Sequence, residues 1–507
     1  MRTGAAKEMD QALTVGGLLR DAAADYGKKP CIKYRMNGET VTKSYRELYA
    51  DSLECAAYIL QLCPEKSHIA LIGKTSYRYL VCLNAIILSG NTAVPIANNL
   101  PLRETVKLLG DSDAVGILYD GTLQNADAVL AASPMIRFRM LTEVAPPEPP
   151  DAPLEAPMDT PDGCAVILYS SGTTGERKGV MLSSYALASN VCFKEMSFEG
   201  DHVALNVLPM YHIFSFSCDY LKNLKDGVCI CLNSSLPALG EELLLFEPSV
   251  LRLVPTVADS LLRRVRILRK RNPDMPPREA AERVFGRNLR NIIVSGAAYS
   301  AANDREFSEM GITVRQGYGM TETGPRIAVP DGNTCAASGG RIISICQVRL
   351  QNGEIQVKSP SLMTGYYKRE EETRAMFTED GWLRTGDLGR ITPDRELFIT
   401  GRLKNVIILG NGENVSPEEI EAAYLTEPLV AEIEVYEDGG KIAAEILPDE
   451  AYVRTVGITN VGAAVEALVE KKNKENIAAT EIDRVTVRTT PFPKTETGKI
   501  KRRRWNT

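Results

Sequence analysis

A loop of small and hydroxyl-bearing residues lies between positions 168 and 180, where the sequence is LYSSGTTGERKGV. Three glycines allow backbone N–H groups to approach an anion closely, because no side chain stands in the way; they are Gly172, Gly175 and Gly179. Hydroxyl donors and two cations surround them: Ser170, Ser171, Thr173, Thr174, Arg177 and Lys178. This combination suits a polyphosphate, and the alternative is a flexible surface turn.

Two common phosphate-binding motifs do not fit the sequence. A Walker loop has the form G-x-x-x-x-G-K-[ST], but counting from Gly172 gives Arg177 at the second glycine, and Lys178 is followed by Gly179. A dinucleotide fingerprint has the form G-x-G-x-x-G, but GYGMTE ends in Glu322. Neither a Walker-type NTPase nor a Rossmann dehydrogenase is therefore indicated.

Strand-like and helix-like segments alternate on both sides of this loop. Helix-like runs lie at 44–60 and 77–88, and strand-like runs at 68–73, 92–97, 115–120 and, directly before the loop, 164–169. This alternation is typical of α/β proteins built on parallel sheets. A proline-rich, acidic segment at 144–163 predicts an extended connector between subdomains.

Composition excludes several functional classes. The 507 residues are 44% hydrophobic and 24% charged, with a net charge of -6, so no overall attraction to nucleic acid or an anionic membrane is expected. No apolar run approaches the ~18 residues of a transmembrane helix, and the N-terminus lacks a secretory signal. The 11 cysteines contain no C-x-x-C pair. A cytoplasmic protein with thiols as small core residues is predicted.

Six further motifs follow in order: LPMYHIF at 208–214, SGAA at 295–298, QGYGMTETGP at 316–325, GWLRTGDLG at 381–389, GRLKNVIILGNGENVSPEEIE at 401–421 and PKTETGKIKR at 493–502. With the loop at 168–180, they resemble the adenylate-forming enzymes, the ANL superfamily of AMP-dependent synthetases and ligases. Long-chain fatty acyl-CoA synthetases are the most similar group, on the segments VIILGNGENVSPEEIE and GITVRQGYGMTETGP.

The resemblance implies an α/β fold in two domains. A large N-terminal AMP-binding domain of stacked sheets and helices, with a small β subdomain, would span residues 1–401. A hinge at 402–404 containing Lys404 would join it to a small, mobile C-terminal α/β lid domain at 405–507.

The resemblance also implies a reaction in two halves. A carboxylate attacks the α-phosphate of ATP to give acyl-AMP and pyrophosphate, and the thiol of CoA then displaces AMP. The implied catalytic residues are Lys499, Thr174, Glu322 and Arg402. Glu322 and Thr174 would hold Mg²⁺, and Lys499 would reach the substrate carboxylate and the α-phosphate. An ordinary solvated lysine in a basic tail is the alternative for Lys499.

Further roles are carried over to matching positions of this sequence. The phosphates would contact Ser170, Ser171, Gly172, Thr173, Thr174, Gly175 and Lys178. The adenine would lie between Tyr318 and the segment Ser295, Gly296, Ala297 and Ala298, beside Gln316, Gly317, Gly319, Met320 and Thr321. Asp387 would accept both ribose hydroxyls with support from Arg402, or it would simply cap a turn.

The acid and thiol sites are less closely defined. The acyl pocket would contain His212, Ile213, Gly296 and Gly319, although His212, one of three histidines, could instead be a core residue. Because Ile213 stands where amino-acid-activating relatives have an aspartate, an α-ammonium group would be buried unpaired, which disfavours amino acids. The thiol tunnel would contain Gly410, Gly412, Glu413 and Asn414.

Three functions remain open from the sequence. The leading hypothesis is an acyl-CoA synthetase for a medium- or long-chain fatty acid. The second is an acyl-AMP ligase that loads the phosphopantetheine of an acyl carrier protein. The third is a nucleotide-binding regulator without turnover. Arg502, Arg503 and Arg504 could contact a phosphate of CoA, the phosphoserine of a carrier protein or only water.

Overall fold

The computed structural model describes residues 13–142, 153–171, 176–193, 202–296, 301–331, 333–335, 337–409, 414–475, 481–494, 500 and 502. Over these ranges the chain forms two seven-stranded sheets, several smaller sheets and many helices. The predicted α/β class, with a large first part and a small second part, is confirmed.

The first seven-stranded sheet carries the phosphate-loop segment near one edge. Its order is β19 (Gly365–Tyr366), β8 (Arg177–Ser183), β7 (Cys164–Ser171), β4 (Thr92–Ile96), β3 (His68–Ile72), β5 (Ala114–Tyr119) and β6 (Phe138–Leu141). The pairs from β7 to β6 are parallel, whereas β8 is antiparallel to both of its neighbours.

The second seven-stranded sheet is parallel except at one edge, where β1 and β2 form a hairpin. Its order is β13 (Thr313–Gln316), β12 (Asn291–Val294), β11 (Val250–Leu253), β9 (Val203–Asn206), β10 (Cys229–Leu232), β1 (Pro30–Met36) and β2 (Glu39–Ser44). Parallel pairing brings the carboxyl ends of several strands to one side of the sheet.

Helices cover both sheets and fill the space between them. In the large part they are α1 (Val15–Tyr26), α2 (Tyr45–Leu62), α3 (Tyr77–Leu88), α4 (Leu102–Asp111), α5 (Ala126–Ala131), α6 (Ser184–Ser189), α7 (Lys222–Lys225), α8 (Leu239–Phe246), α9 (Pro255–Arg271), α10 (Pro277–Phe285), α11 (Ala301–Glu309) and α12 (Glu370–Met376). Helices α1–α3 and a π-helix, Phe214–Leu221, pack between the sheets. Helices α4 and α5 cover the outer face of the first sheet, and α8–α11 that of the second.

Side-chain alternation explains how one strand joins two cores. In β3, Ile69 and Leu71 pack into the layer between the sheets, whereas Ala70 and Ile72 pack under α4 and α5. Successive side chains of a strand point to opposite faces, so a continuous apolar run is needed when both faces are covered.

Local capping fixes where the inter-sheet helices begin. The Ser44 side chain accepts from the Glu47 amide while the Glu47 carboxylate accepts from the Ser44 amide, which is a capping box at the start of α2. Ser76 similarly accepts from the Tyr79 amide at the start of α3.

Smaller sheets follow the second large sheet. One contains β14 (Tyr318–Gly319), β15 (Arg326–Val329) and β16 (Arg341–Ile342), and the other contains β17 (Gln347–Gln351), β18 (Glu354–Lys358), β20 (Leu383–Ile391) and β21 (Leu397–Arg402). Their pairs are antiparallel. They form the β subdomain that the resemblance implied.

The C-terminal part has its own apolar core. Its elements are β22 (Ile407–Ile408), β23 (Asn414–Val415), α13 (Pro417–Tyr424), β24 (Val430–Asp438), β25 (Lys441–Pro448), α14 (Glu450–Val456), α15 (Val461–Glu475) and β26 (Arg484–Val487). Buried side chains from Ile407 to Ile482 form one cluster. A separate core agrees with the predicted lid, while its boundaries and mobility stay predictions.

Two expectations from composition can be compared with the structure. Eight of the 11 cysteines are buried, as expected for small core residues. Among the described ranges, no helix combines the length and apolar character needed to cross a bilayer.

A buried polar network ties the π-helix to the second sheet. The Arg252 guanidinium donates from Nη1 to Asp219 Oδ1 (3.2 Å) and to Asn223 Oδ1 (3.0 Å). Asn206 Nδ2 donates to Asp219 Oδ2 (2.7 Å) and to Ser215 Oγ (2.8 Å). Burial raises the pKa of Asp219, and the Arg252 charge opposes that rise. The π-helix is thus held by a charge pair that neither water nor salt screens well.

Removing Arg252 should be costly because the Asp219 carboxylate would stay buried without its counter-ion. We expect Arg252→Ala to lower the free energy of unfolding by about 3–5 kcal/mol. Arg263→Ala, on the exposed side of α9, should change it by less than about 0.5 kcal/mol. Replacing Arg252 by Met and Asp219 by Leu together should recover part of the loss, since no unpaired charge remains but the Asn206 and Asn223 amides each lose a partner. Urea unfolding followed by circular dichroism measures all of these, and equal effects of Arg252→Ala and Arg263→Ala would contradict the expectation.

Candidate active site

The segments that follow β12 and β13 lie side by side at the carboxyl edge of the second sheet. Ser295 directly follows β12, and its amide donates to Leu253 O at 3.3 Å. Gln316 ends β13, and the Gly317 amide donates to Val294 O at 3.0 Å. The parallel register therefore brings the predicted adenine-binding segments together, although Ala297 and Ala298 lie outside the described residues.

At two positions in this region the backbone geometry requires glycine. Gly296 has a φ of +94°, in the region that favours glycine. At Gly319, a Cβ atom would lie 1.9 Å from the carbonyl oxygen of Pro325. The Met320 amide donates to that same oxygen at 3.1 Å, which closes the loop after β14. The close approach fixes the short 3₁₀ helix Thr321–Thr323.

Glu322 is a buried carboxylate in this 3₁₀ helix, with 8% of its surface exposed. The hydroxyl of Tyr366 donates to Glu322 Oε1 at 2.8 Å. Burial raises the pKa of Glu322, while the Tyr366 hydrogen bond and the charges of Arg402 and Lys178 oppose the rise. The sites of Arg402 and Lys178 are therefore electrostatically coupled to this carboxylate.

A single carboxylate is compatible with the magnesium role implied for Glu322. Within the described ranges, no group of three or more His, Cys, Asp or Glu side chains could hold a metal ion. Mg²⁺ is usually bound through one or two carboxylates together with substrate phosphates, rather than by an all-protein cage. The second implied ligand, Thr174, lies outside the described residues.

Asp387 lies within β20 and is held from two directions. The Tyr318 hydroxyl donates to Asp387 Oδ2 at 2.7 Å, and Arg402 Nε lies 2.7 Å from Asp387 Oδ1. Asp387 and Arg402 are direct partners across β20 and β21. A strand position with these partners is not a turn cap, and each carboxylate oxygen retains a further lone pair for another donor.

Tyr318 was predicted to face the adenine, and its ring is partly buried against the β-subdomain core. Its hydroxyl is engaged by Asp387, which the sequence did not indicate. The tyrosine thus joins β14 to the Asp387 carboxylate of β20.

The predicted phosphate loop is the tip of an antiparallel hairpin. Ser170 pairs with Lys178 and Ser171 pairs with Arg177 across β7 and β8. The tip itself lies outside the described residues, and it contains Gly172, Thr173, Thr174 and Gly175. The pairing with Ser170 nevertheless fixes the position of Lys178 within β8.

Lys178 has two neighbours that sequence reasoning missed. Its Nζ forms an ion pair with the Glu372 carboxylate and lies 5.0 Å from the centre of the Tyr366 ring. Tyr366 therefore touches both Lys178 and Glu322. In the sequence, Gly365 and Tyr366 precede a charged run. This local pattern does not indicate which distant residues they contact.

The two acyl-pocket candidates on the 208–214 segment have different surroundings. His212 is half-buried, its amide donates to Pro209 O at 3.1 Å, and its ring lies 4.6 Å from that of Tyr211. Ile213 is buried in the core between the sheets and directly precedes the π-helix. π-Helices are rare and are frequent at functional sites, but the pocket assignment stays a prediction.

The predicted hinge, residues 402–404, begins at the last residue of β21. Arg402 is the last residue of β21, and Lys404 is exposed within the 3₁₀ helix Leu403–Asn405. Of the tunnel residues, Asn414 begins β23, whereas Gly410, Gly412 and Glu413 lie outside the described residues.

Lys499 also lies outside the described residues. The residues on either side of its segment, Lys494 and Ile500, are described and form an isolated antiparallel bridge. Lys494 Nζ is 2.6 Å from Glu432 Oε1. The catalytic role of Lys499 remains a prediction.

Arg502 has partners inside the C-terminal part. Its Nη2 lies 2.5 Å from Glu421 Oε2 and 3.4 Å from Glu418 Oε1, and its Nη1 donates to Val435 O at 3.2 Å. Burial raises the pKa of Glu421 to about 7, and Arg502 opposes the rise. The Arg502 guanidinium is therefore engaged by this domain and is not simply solvated.

The buried Glu322 carboxylate predicts a specific pH dependence of stability. Its pKa is raised above the unfolded value of 4.5, so its contribution to stability is fully present below that value and is lost as pH rises through the folded pKa. Glu322→Gln removes this titration. We expect the stability of Glu322→Gln relative to the parent to increase as pH rises above 4.5.

Urea unfolding at several pH values measures this difference. Glu371→Gln is the matched control because that carboxylate is exposed on α12. For the control, the difference in stability from the parent should be constant with pH. A constant difference for Glu322→Gln as well would contradict the interpretation.

Comparison with known proteins adds independent information. The family model described as AMP-binding enzyme matches residues 19–367, and the model of the AMP-binding enzyme C-terminal domain matches residues 404–507. The long-chain-fatty-acid–CoA ligase ACSBG1 of Rattus norvegicus is 26% identical over 86% of this chain and 70% of its own length. The 4-coumarate–CoA ligase 3 of Oryza sativa subsp. japonica is 27% identical over 98% of this chain and 92% of its own.

A solved structure shows the same fold. The ATP-bound MatB of Rhodopseudomonas palustris superimposes with a TM-score of 0.80 and 23% identity, over 96% of this chain and 97% of that one. The family models together cover most of the sequence. The resemblance to the adenylate-forming enzymes is thus confirmed, and the chain belongs to the AMP-binding enzyme family.

Proposed function

We propose that this protein activates a carboxylic acid with ATP and transfers the acyl group to the thiol of CoA. The observation that carries the proposal is the pair of buried carboxylates, Glu322 and Asp387, coupled to the cations Lys178 and Arg402. Family membership and relatives named as CoA ligases support it.

The nucleotide would be bound along these residues. Asp387, whose position Tyr318 and Arg402 fix, would accept the ribose hydroxyls through its remaining lone pairs. Lys178 would contact the outer phosphates together with the hydrogen-bond donors of the hairpin tip. Glu322 would hold Mg²⁺, which when bound neutralises phosphate charge.

Adenylation brings two anions together. A carboxylate oxygen of the acid bonds to the α-phosphorus of ATP, the bond to the bridging oxygen of the β-phosphate breaks, and pyrophosphate leaves with the electron pair. The thiol of CoA then loses its proton to solvent, its sulfur bonds to the acyl carbon, the bond from that carbon to the phosphate oxygen breaks, and AMP leaves with the electron pair. Since a carboxylate needs no base, the protein contributes positioning and positive charge.

The two steps need different arrangements of the C-terminal part. Lys499 would approach the reacting groups during adenylation, and the segment containing Asn414 would approach the thiol afterwards. Rotation of the C-terminal part about residues 402–404 would bring one of these two segments to the site in place of the other. A few residues at the end of a helix or strand can absorb the backbone change that such a rotation requires. Arg402 ends β21, and Leu403 and Lys404 follow it in a short 3₁₀ helix.

A medium- or long-chain fatty acid is the proposed substrate. Support comes from the relative named for long-chain fatty acids and from the buried, apolar Ile213 beside His212. Because the chain is also similar to a 4-coumarate–CoA ligase, aryl acids must be tested beside fatty acids.

Acid-dependent pyrophosphate release tests the proposal. The enzyme would be supplied with ATP, Mg²⁺ and, in turn, fatty, aryl and amino acids, and then with CoA or a phosphopantetheinyl carrier protein. Release with fatty acids and transfer to CoA support the proposal. Preference for aryl acids contradicts the substrate, transfer only to the carrier favours the acyl-AMP ligase, and no release with any acid favours a regulator.

Lys499→Ala should separate the two half-reactions. Loss of a cation used in the transition state should lower adenylation roughly 10²–10³-fold. Thioester formation from supplied acyl-AMP should stay near the parent rate, because the lysine would be withdrawn in that step. Lys441→Ala, whose side chain is 68% exposed, is the control. Normal adenylation by Lys499→Ala would contradict the assigned role.

A further inference from the structure

The ammonium of Lys178 is paired with a carboxylate of the same chain. Glu372 contacts Lys178 Nζ, and the side chains of the pair are 23% and 37% exposed. The Tyr366 ring lies beneath the same ammonium at 5.0 Å. An anionic oxygen of the protein is thus already paired with the ammonium that the proposed function assigns to the phosphates.

The fold determines why Glu372 reaches this position. Strand β19 pairs with β8, with Tyr366 opposite Val180. The Tyr366 amide donates to Thr373 Oγ1 (2.8 Å), and Thr373 Oγ1 donates to Arg369 O (2.8 Å). These bonds fold the first turn of α12 back over β19, so Glu372 projects toward Lys178.

Other ion pairs hold the same region. Arg369 Nη2 is 3.1 Å from Glu176 Oε1, and Arg369 Nε is 3.9 Å from Glu372 Oε1. Lys107 Nζ lies 3.3 Å from Glu176 Oε1. The residues after the hairpin tip are therefore linked to α12 and α4 by charge pairs that leave Lys178 and Glu372 in contact.

We propose that Glu372 is a displaceable internal counter-ion that competes with the phosphates of ATP, and with pyrophosphate, for Lys178. The inference rests on the proposed function in assigning Lys178 to the phosphates. One ammonium cannot give full charge pairing to both anions, so ATP must displace the carboxylate, which can return when pyrophosphate leaves. Because the pair is partly exposed, its effect on affinity is limited to about fivefold.

The first test compares two adjacent carboxylates on α12. Glu372→Gln should bind ATP and pyrophosphate about two- to fivefold more tightly than the parent, as measured by calorimetry without an acid substrate. Glu371→Gln makes the same charge change at an exposed neighbouring position and should leave both affinities near the parent values. Unchanged or weaker binding by Glu372→Gln, or equal tightening by Glu371→Gln, would overturn the proposal.

The second test separates competition at Lys178 from simple repulsion of phosphate by Glu372. In a Lys178→Gln background, Glu372→Gln should no longer tighten ATP binding, because there is no cation to compete for. Tightening that persists in this background indicates through-space repulsion and overturns the proposal.

The same measurements distinguish the proposal from the function on which it rests. If Lys178→Gln alone binds ATP like the parent, the phosphate assignment of Lys178 fails, and the competition with it. If Lys178→Gln weakens binding but Glu372→Gln has no effect, only the competition fails.

Discussion

The hydrogen-bonded carboxylate of Asp387 connects the parts of the molecule on which the candidate site depends. It accepts from Tyr318 and pairs with Arg402, and so joins β14, β20 and the end of β21, where the predicted hinge begins. Charge-assisted hydrogen bonds are short and directional, so the three segments have little freedom relative to one another. A hinge that begins at Arg402 therefore starts from a fixed point.

A second buried network of hydrogen bonds holds the loop that carries Glu322. The Arg326 guanidinium donates to Asn190 O (3.0 Å) and to Ser217 O (3.2 Å), and Ser217 Oγ donates to Gly324 O (3.2 Å). The π-helix and the loop carrying Glu322 are thus braced by the same buried cation. Burying the Arg326 charge is costly unless it has hydrogen-bond partners, and the carbonyl groups of Asn190 and Ser217 supply them.

Much of the fold could be predicted from local patterns. The helical spacing at 77–88 gave α3 with its correct bounds, because Ser76 caps its start and the apolar face is continuous. The site carboxylates Glu322 and Asp387 could be named because the motifs QGYGMTETGP and GWLRTGDLG resemble those of the adenylate-forming enzymes. The ion pair of Lys178 with Glu372, the hydroxyl of Tyr366 and the π-helix could not be predicted. They depend on strand pairing between distant segments and on tertiary packing, which local spacing does not specify.

The central claim is that Asp387 binds the ribose hydroxyls of the nucleotide. It is tested most directly by comparing the affinities of nucleotides that have and lack these hydroxyls. The dissociation constants of ATP and 2′,3′-dideoxy-ATP would be measured for the parent and for Asp387→Ala. The account predicts that the parent prefers ATP by roughly 10- to 100-fold, because charge-assisted hydrogen bonds are lost with the hydroxyls, and that Asp387→Ala binds both nucleotides alike. A variant that keeps the preference, or a parent that has none, would contradict it.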